Sequence, residues 1–557
     1  MFDIKDVEIK NIDHLGIVAG IIDSIGLVEI INESIGVNEN EKVNAGQVVK
    51  AMILNGLGFV SKPLYMFPKY FESIPCEHLI GSGVKAEYLN DDKLGRVMDK
   101  LFIKGLDSIF LSITLNVIKK FKISLSTSHL DSSSIHLHGE HNSSLPEVIF
   151  DYQKVEKNHL EEELETKSLQ PINITYGYSR DHRPDLKQFL IELICSDDGD
   201  IPIFLKSASG NIVDSSCFGQ LVVDYKKQLQ VDSLMVADCA LYTEQNIKLM
   251  SEIKWLCRVP LSIKEAKLLT STLPESEFIK SNLWGYSYVA KKITYAGIEQ
   301  RWLVVQSQER RKADLQKLSQ KITKNEEKIK SDLKKLSKEK FACEADAIKE
   351  LSKLSKKFKY YQTNKVSIIE NRENSRKQEK YYQISATIIK DEDKINPSIL
   401  SAGRFIIATN ILEEAELDNT SMIYKYKAQQ SCVRVSVPLG SRGFSFLKDP
   451  LFFADSIYLK TPERIEALAM IMGLCLLVYK LAQRQLRLAL YESQLKFKNQ
   501  LGKPTDTPTL KWIFQCFQSV HIVKFNNQKQ VSNWNEERDF ILKLLPNHCL
   551  SYYSFIT

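Results

Sequence analysis

The sequence predicts a mixed α/β protein with a helical N-terminal domain, a strand-rich core and a large insertion that carries a basic helical hairpin. Three observations predict it. Apolar residues recur at helical spacing in the first hundred residues. Short β-type runs follow from Ile123, two of them ending in isolated aspartates. A lysine-rich, heptad-like stretch then interrupts the strands after Val305.

Residues 1–110 read as the helical domain, with DNA binding or packing as its two roles. Ile17, Ile21, Ile22 and Ile25 share one face, and Gly26 is a stop signal. Val48, Val49, Met52, Ile53 and Leu57 repeat the pattern up to Gly58, and Asp91 or Asp92 is expected to cap a further helix. Residues 120–250 read as the first part of the core. Ile123 to Asp131 is a strand, and 189–196 and 201–207 flank the turn Asp197-Asp198-Gly199-Asp200 as a hairpin. A helix around 217–228 precedes a strand that ends at Asp238. Strand, strand, strand, helix, strand is the order of an RNase H-like core.

Residues 251–410 read as the insertion. Within it, 310–359 hold 17 Lys/Arg against 8 Asp/Glu, so the rest of this +6 chain is slightly acidic and the basic character belongs to one segment. Leu315, Leu318, Ile322, Ile329, Leu333 and Leu336 form a seam, and a second arm through Ile348, Leu351, Leu354 and Phe358 folds back as a hairpin. Its lysines are either a solvated face or phosphate contacts. Residues 411–495 read as the C-terminal part of the core and 496–557 as a tail.

At 557 residues the chain exceeds one compact core. Hydrophobic content of 43% and charged content of 26% are those of a globular protein. The first ten residues do not read as a signal peptide. The apolar run 467–479 is shorter than the ~20 residues a bilayer demands, so no membrane partner is expected. Ten scattered cysteines without a CxxC pair suit reduced thiols in a cytoplasmic protein. His129, His136, His138 and His141 lie loosely around Asp131, without the spacing of a zinc site.

The chemistry-bearing stretch is Gly177-Tyr178-Ser179-Arg180-Asp181-His182-Arg183-Pro184-Asp185-Leu186-Lys187-Gln188, set between Asp131 and Asp238. Phosphodiester transfer uses two divalent ions ~4 Å apart. Mg²⁺ takes hard oxygen ligands and keeps several waters, so a few carboxylates on rigid elements suffice. Asp131 and Asp238 meet that need if their strands are neighbours.

Asp131-Ser132-Ser133-Ser134, residues 177–188, and Val236-Ala237-Asp238-Cys239-Ala240-Leu241-Tyr242 resemble DDE transposases of bacterial insertion sequences. The group is the IS-four superfamily, in its branch with a helical N-terminal domain. The resemblance spans nearly the whole chain. It implies Asp131 and Asp238 as catalytic metal ligands for Mg²⁺ or Mn²⁺. It further implies DNA contacts at Tyr426, Arg442 and Lys448, with Arg180, Arg183 and Lys187 near the first acid. It implies terminal inverted repeats and target DNA as partners, a homodimer in the complex, and a bacterial, nucleoid-associated location.

The family's third acid falls in a pattern of Tyr, two residues, Arg or Gln, three residues, Glu, six residues, Lys. Here Tyr426 and Gln429 match its start and Arg442 to Lys448 its end. Counting forward from Tyr426 gives Val433, and counting back from Lys448 gives Ser441. Neither is an acid. Asp449, Glu413, Glu414 and Glu416 are the nearby alternatives. Three readings follow: an active transposase, a DNA-binding remnant that cannot cut, and a structural coiled-coil protein without a DNA role.

Overall fold

The computed structural model describes residues 7–139, 170–178, 183–212, 214–229, 232–372, 380–432, 459–525 and 528–555. The chain divides into two compact units, Met1–Lys254 with Lys427–Thr557, and Trp255–Tyr426.

The first unit begins with a helical array. Helices α1 (Leu15–Ile25) and α2 (Leu27–Ile35) meet at Gly26, whose φ of 79° is the left-handed geometry that ends a helix. Helix α3 (Ala45–Gly56) opens with a capping box between Asn44 and Gln47. Helix α4 (Asp91–Lys104) is capped by Asn90, which accepts from the Lys93 N–H at 2.9 Å, and not by the aspartates the sequence pointed to. Asp91 and Asp92 fall instead in the first turn, where their charge suits the helix dipole. Helix α5 (Leu106–Phe121) leads into the sheet.

Of the segment read as a tail, residues 496–525 and 528–555 are built into this array. Strand Glu8–Asn11 pairs with His521–Phe525, which pairs in turn with Gln528–Ser532. The Lys50 ammonium sits 2.5 Å from Asp23 and 2.9 Å from the Tyr552 hydroxyl. A Cβ added to Gly20 would lie 2.5 Å from the Cys549 backbone. Gly20→Ala is therefore expected to destabilise the protein by about 1–3 kcal/mol through overpacking, read as a lowered midpoint in thermal melts. An unchanged midpoint would place this contact elsewhere.

The sheet of the first unit has four strands, β1 (Thr127–Leu137), β2 (Lys187–Ser196), β3 (Pro202–Ser209) and β4 (Leu234–Ala237). Their order is β3-β2-β1-β4, with β1 antiparallel to β2 and parallel to β4. Helix α6 (Asp214–Leu229) covers one face through Tyr225, whose hydroxyl lies 3.0 Å from Ser128 and whose ring meets Phe204 edge-on. Helix α10 (Pro462–Glu492) covers the other, so closely that a Cβ on Gly473 would lie 2.3 Å from Leu205.

Helix α10 is 31 residues long, as the pattern from 462 to 491 leads one to expect, and is long and apolar enough to cross a membrane. Its most apolar window is 94% buried within the protein. Two ion pairs hold it to the β2–β3 turn. The Lys480 ammonium is 3.1 Å from Asp200, and the Arg484 guanidinium grips Asp198 with bonds of 2.7 and 2.6 Å. In that turn Gly199 and Asp200 have φ of 82° and 58°, the positive values a tight hairpin demands.

The second unit holds a five-stranded antiparallel sheet. Strands β5 (Trp255–Val259), β6 (Ile279–Lys280), β7 (Tyr286–Tyr295), β8 (Ile298–Ser307) and β11 (Arg404–Thr409) lie in the order β5-β11-β8-β7-β6. Between β8 and β11 come helices α7 (Gln308–Leu336) and α8 (Glu344–Ser355) and a hairpin of β9 (Tyr361–Arg372) and β10 (Lys380–Lys390). The two helices do not close on each other alone. Ile329, Leu333 and Leu336 pack with Ala347, Leu351 and Phe358, and the hairpin adds Tyr361 and Ile384. Leu315 and Leu318, the start of the expected seam, are only half-buried.

Candidate metal centre

Strand β1 carries Asp131 at its middle and runs on to Leu137, a correction to the strand expected from Ile123 to Asp131. In the antiparallel pair Asp131 lies opposite Leu193, and in the parallel pair the last matched residues are Leu130 and Ala237. Asp131 and Asp238 thus follow the last matched pair of two neighbouring strands, Asp131 within β1 and Asp238 just past the end of β4. Adjacent strands lie ~4.8 Å apart, which sets the backbones of the two residues close together. Both residues are half-exposed, Asp131 between buried neighbours and Asp238 between buried Ala237 and exposed Cys239.

Each carboxylate is oriented by a local bond. One oxygen of Asp131 accepts from the Ser132 N–H at 2.9 Å. One oxygen of Asp238 accepts from the Ala240 N–H at 2.8 Å, an Asx turn that ends the strand. The chemistry of the pair fits Mg²⁺ or Mn²⁺: hard oxygens and partial exposure. Among the described residues no group of three His, Cys, Asp or Glu converges to hold a metal ion. His129 is fully buried two residues before Asp131, and His141 lies outside the described residues.

Helix α9 (Asn419–Cys432) reaches this site through Gln429, which is 5% exposed. Its amide donates 3.1 Å to the carbonyl of Leu130, the residue before Asp131. That bond gives Gln429 a structural task that sequence reasoning assigned to no particular side chain. Helix α9 ends at Cys432, and Val433 lies outside the described residues. Arg180, Arg442, Lys448 and Ser441 lie outside the described residues.

The remaining expected DNA contacts sit in different surroundings. Lys187 pairs with Leu137, six residues along β1 and so roughly 20 Å from the first acid. Tyr426, 7% exposed, lies in the second unit with its ring 6.1 Å from that of Phe405. Arg183 grips Asp185 with bonds of 2.9 and 2.8 Å on the protein surface, and the guanidinium holds the Asp185 carboxyl down at about 2.

Asp185 competes with phosphate for Arg183. Asp185→Asn is then expected to strengthen DNA binding and to raise the slope of log K against log salt by about one. Anisotropy titrations across a salt series measure this, and an unchanged slope removes Arg183 from the contacts.

Part of the 177–188 stretch builds the sheet, which its composition did not announce. Gln188 is 1% exposed and its amide donates to Gly210 O at 2.8 Å and to Tyr178 O at 3.3 Å. A Cβ on Gly177 would lie 1.9 Å from the Gly210 oxygen, so only glycine fits there. Just upstream, the Ile172 N–H donates 2.7 Å to Glu466 on α10. Burial first, and the charges of Asp107 and Glu463 second, push that carboxyl up to about 7, despite the bond from Ile172.

Comparisons with known proteins add the following. A family model described as "Domain of unknown function (DUF4277)" matches residues 7–115, within the helical part of the first unit. No curated protein matches the chain. A solved structure, the cryo-EM structure of the piggyBac transposase synaptic complex with hairpin DNA, is similar at 10% identity and a TM-score of 0.35. It covers 96% of this chain and 86% of that one. A score that low does not place the fold.

Proposed function

We propose that this chain is a transposase-class protein that binds DNA ends and carries a two-aspartate site for metal-dependent strand cleavage and transfer. The observation that supports this reading is the pairing of Asp131 and Asp238, one residue beyond the last matched pair on parallel neighbouring strands. The order β3-β2-β1-β4, with β1 antiparallel to β2 and parallel to β4, supports an RNase H-like core. The motifs around both acids support the IS-four superfamily reading.

In this reading Asp131 and Asp238 hold Mg²⁺ or Mn²⁺. The bound ions would supply Lewis acidity to the attacking and leaving oxygens. The bonds from Ser132 and Ala240 fix one oxygen of each carboxylate. Gln429 fixes the backbone between the sheet and α9. Terminal inverted repeats and target DNA are the substrates, a homodimer is the working form, and the bacterial cytoplasm is the setting.

A second reading is a DNA-binding remnant that cannot cut. It is favoured by Val433 and Ser441 at the two positions where the family pattern calls for its third acid. The experiment incubates the purified protein with labelled duplex carrying the element's end, with Mg²⁺ or Mn²⁺. Cleavage that needs Asp238 supports the first reading, and binding without cleavage supports the second. No salt-sensitive DNA binding would overturn both.

A further inference from the structure

We infer that Tyr176 and Tyr178 form a stacking platform for unpaired DNA bases, set apart from the aspartate pair along the same sheet. The inference rests on the DNA-processing reading above. Tyr178 is 86% exposed and Tyr176 58%, although the backbone that carries them is tightly held. Thr175 and Gln188 exchange backbone bonds of 3.2 and 2.9 Å. Gln188 then bonds the Tyr178 carbonyl, and Gly177 is wedged against Gly210. In an extended segment the neighbours of an inward-facing residue face outward. The two rings are thus displayed on a fixed rail, at low entropic cost for binding.

Their spacing suits a planar ligand. Side chains two residues apart on an extended chain are roughly 7 Å apart, twice the ~3.4 Å thickness of a stacked base. One base fits between the two rings, and every base offers a π-face. Charge does not favour simple phosphate tracking here. Residues 176–188 carry three Lys/Arg against two Asp, and Arg183 is already engaged by Asp185. The platform adjoins Gln188, which pairs with His136, five residues beyond Asp131. That is roughly 17 Å, or about five nucleotide steps from the carboxylates.

The test measures affinity of the full chain for a duplex with a short single-stranded tail and for the same duplex fully paired. The wild-type protein is expected to prefer the tailed duplex. Tyr178→Ala should cut that preference about tenfold, Tyr176→Ala similarly, and Tyr178→Phe should keep it. Affinity for the paired duplex and the melting midpoint should not change. Equal tail preference in wild-type and Tyr178→Ala protein would overturn the inference while leaving the function reading intact. A changed oligomeric state in Tyr178→Ala with unchanged tail binding would overturn it in favour of a protein contact. Failure of the wild-type chain to bind either duplex would overturn both.

Discussion

Asp238→Asn is expected to lower metal-dependent DNA cleavage by at least ~10³-fold, while DNA binding stays within about twofold. The asymmetry follows from the local structure. The bond that shapes the turn runs from the Ala240 N–H to one side-chain oxygen of Asp238, and an asparagine carbonyl can accept it. The strand end should therefore survive, and only the negative charge is lost. A divalent ion bound by two carboxylates and water depends on that charge. Asp131→Asn should fall as far, and the double variant little further, because both residues serve one site. Single-turnover cleavage in Mg²⁺ and in Mn²⁺ measures this. Activity surviving in Asp238→Asn would remove the pair from the chemistry. A wild-type chain that binds and never cuts would favour the remnant.

What the sequence made legible is what local chemistry dictates. A β-branched run that stops at an aspartate, and an Asp-Asp-Gly-Asp turn between apolar strands, carry their geometry within a few residues. So the strand that stops before Asp238 and the hairpin held by Lys480 and Arg484 could be read directly, apart from the partners, whereas the strand expected to end at Asp131 runs on to Leu137. What could not be read depends on residues far apart in the chain. Gln429 meets the Leu130 carbonyl across 299 positions, and Tyr552 meets Lys50 across 502. Nothing local distinguishes a glutamine on a helix that will be buried from one that will be solvated. The segment 496–557 was misread for the same reason, since its short strands and helices gain meaning only against Glu8–Asn11 and α1. Gly177 and Gln188 show the converse: a motif that looked purely functional is partly a packing device.

Acid is expected to loosen the body that joins the two chain ends, through His14. This residue is 1% exposed, stacks on Phe514 with ring centres 4.0 Å apart, and meets Phe59 edge-on at 4.3 Å. Its Nε2 lies 2.7 Å from the Leu57 carbonyl and donates to it, while Nδ1 is buried with no hydrogen-bond partner among the described residues. Burial pushes its pKa down to about 4, against a partial gain from the Leu57 bond. The unfolded chain takes up a proton near pH 6.5, and the folded one does so only near pH 4. Between those values the unfolded state binds more protons, so stability falls as pH falls. The neutral ring contributes fully above pH 6.5, and about 3 kcal/mol is lost by pH 4. Asp13 opposes the trend, because burial raises its carboxyl pKa and favours folding in acid. Comparing variants at each pH removes that background. His14→Phe keeps the ring stack and cannot titrate, so the drop in its melting midpoint from pH 7.5 to pH 4.5 should be smaller than that of the wild type. Equal drops would mean that His14 is reached by protons in the folded chain and that acid acts elsewhere.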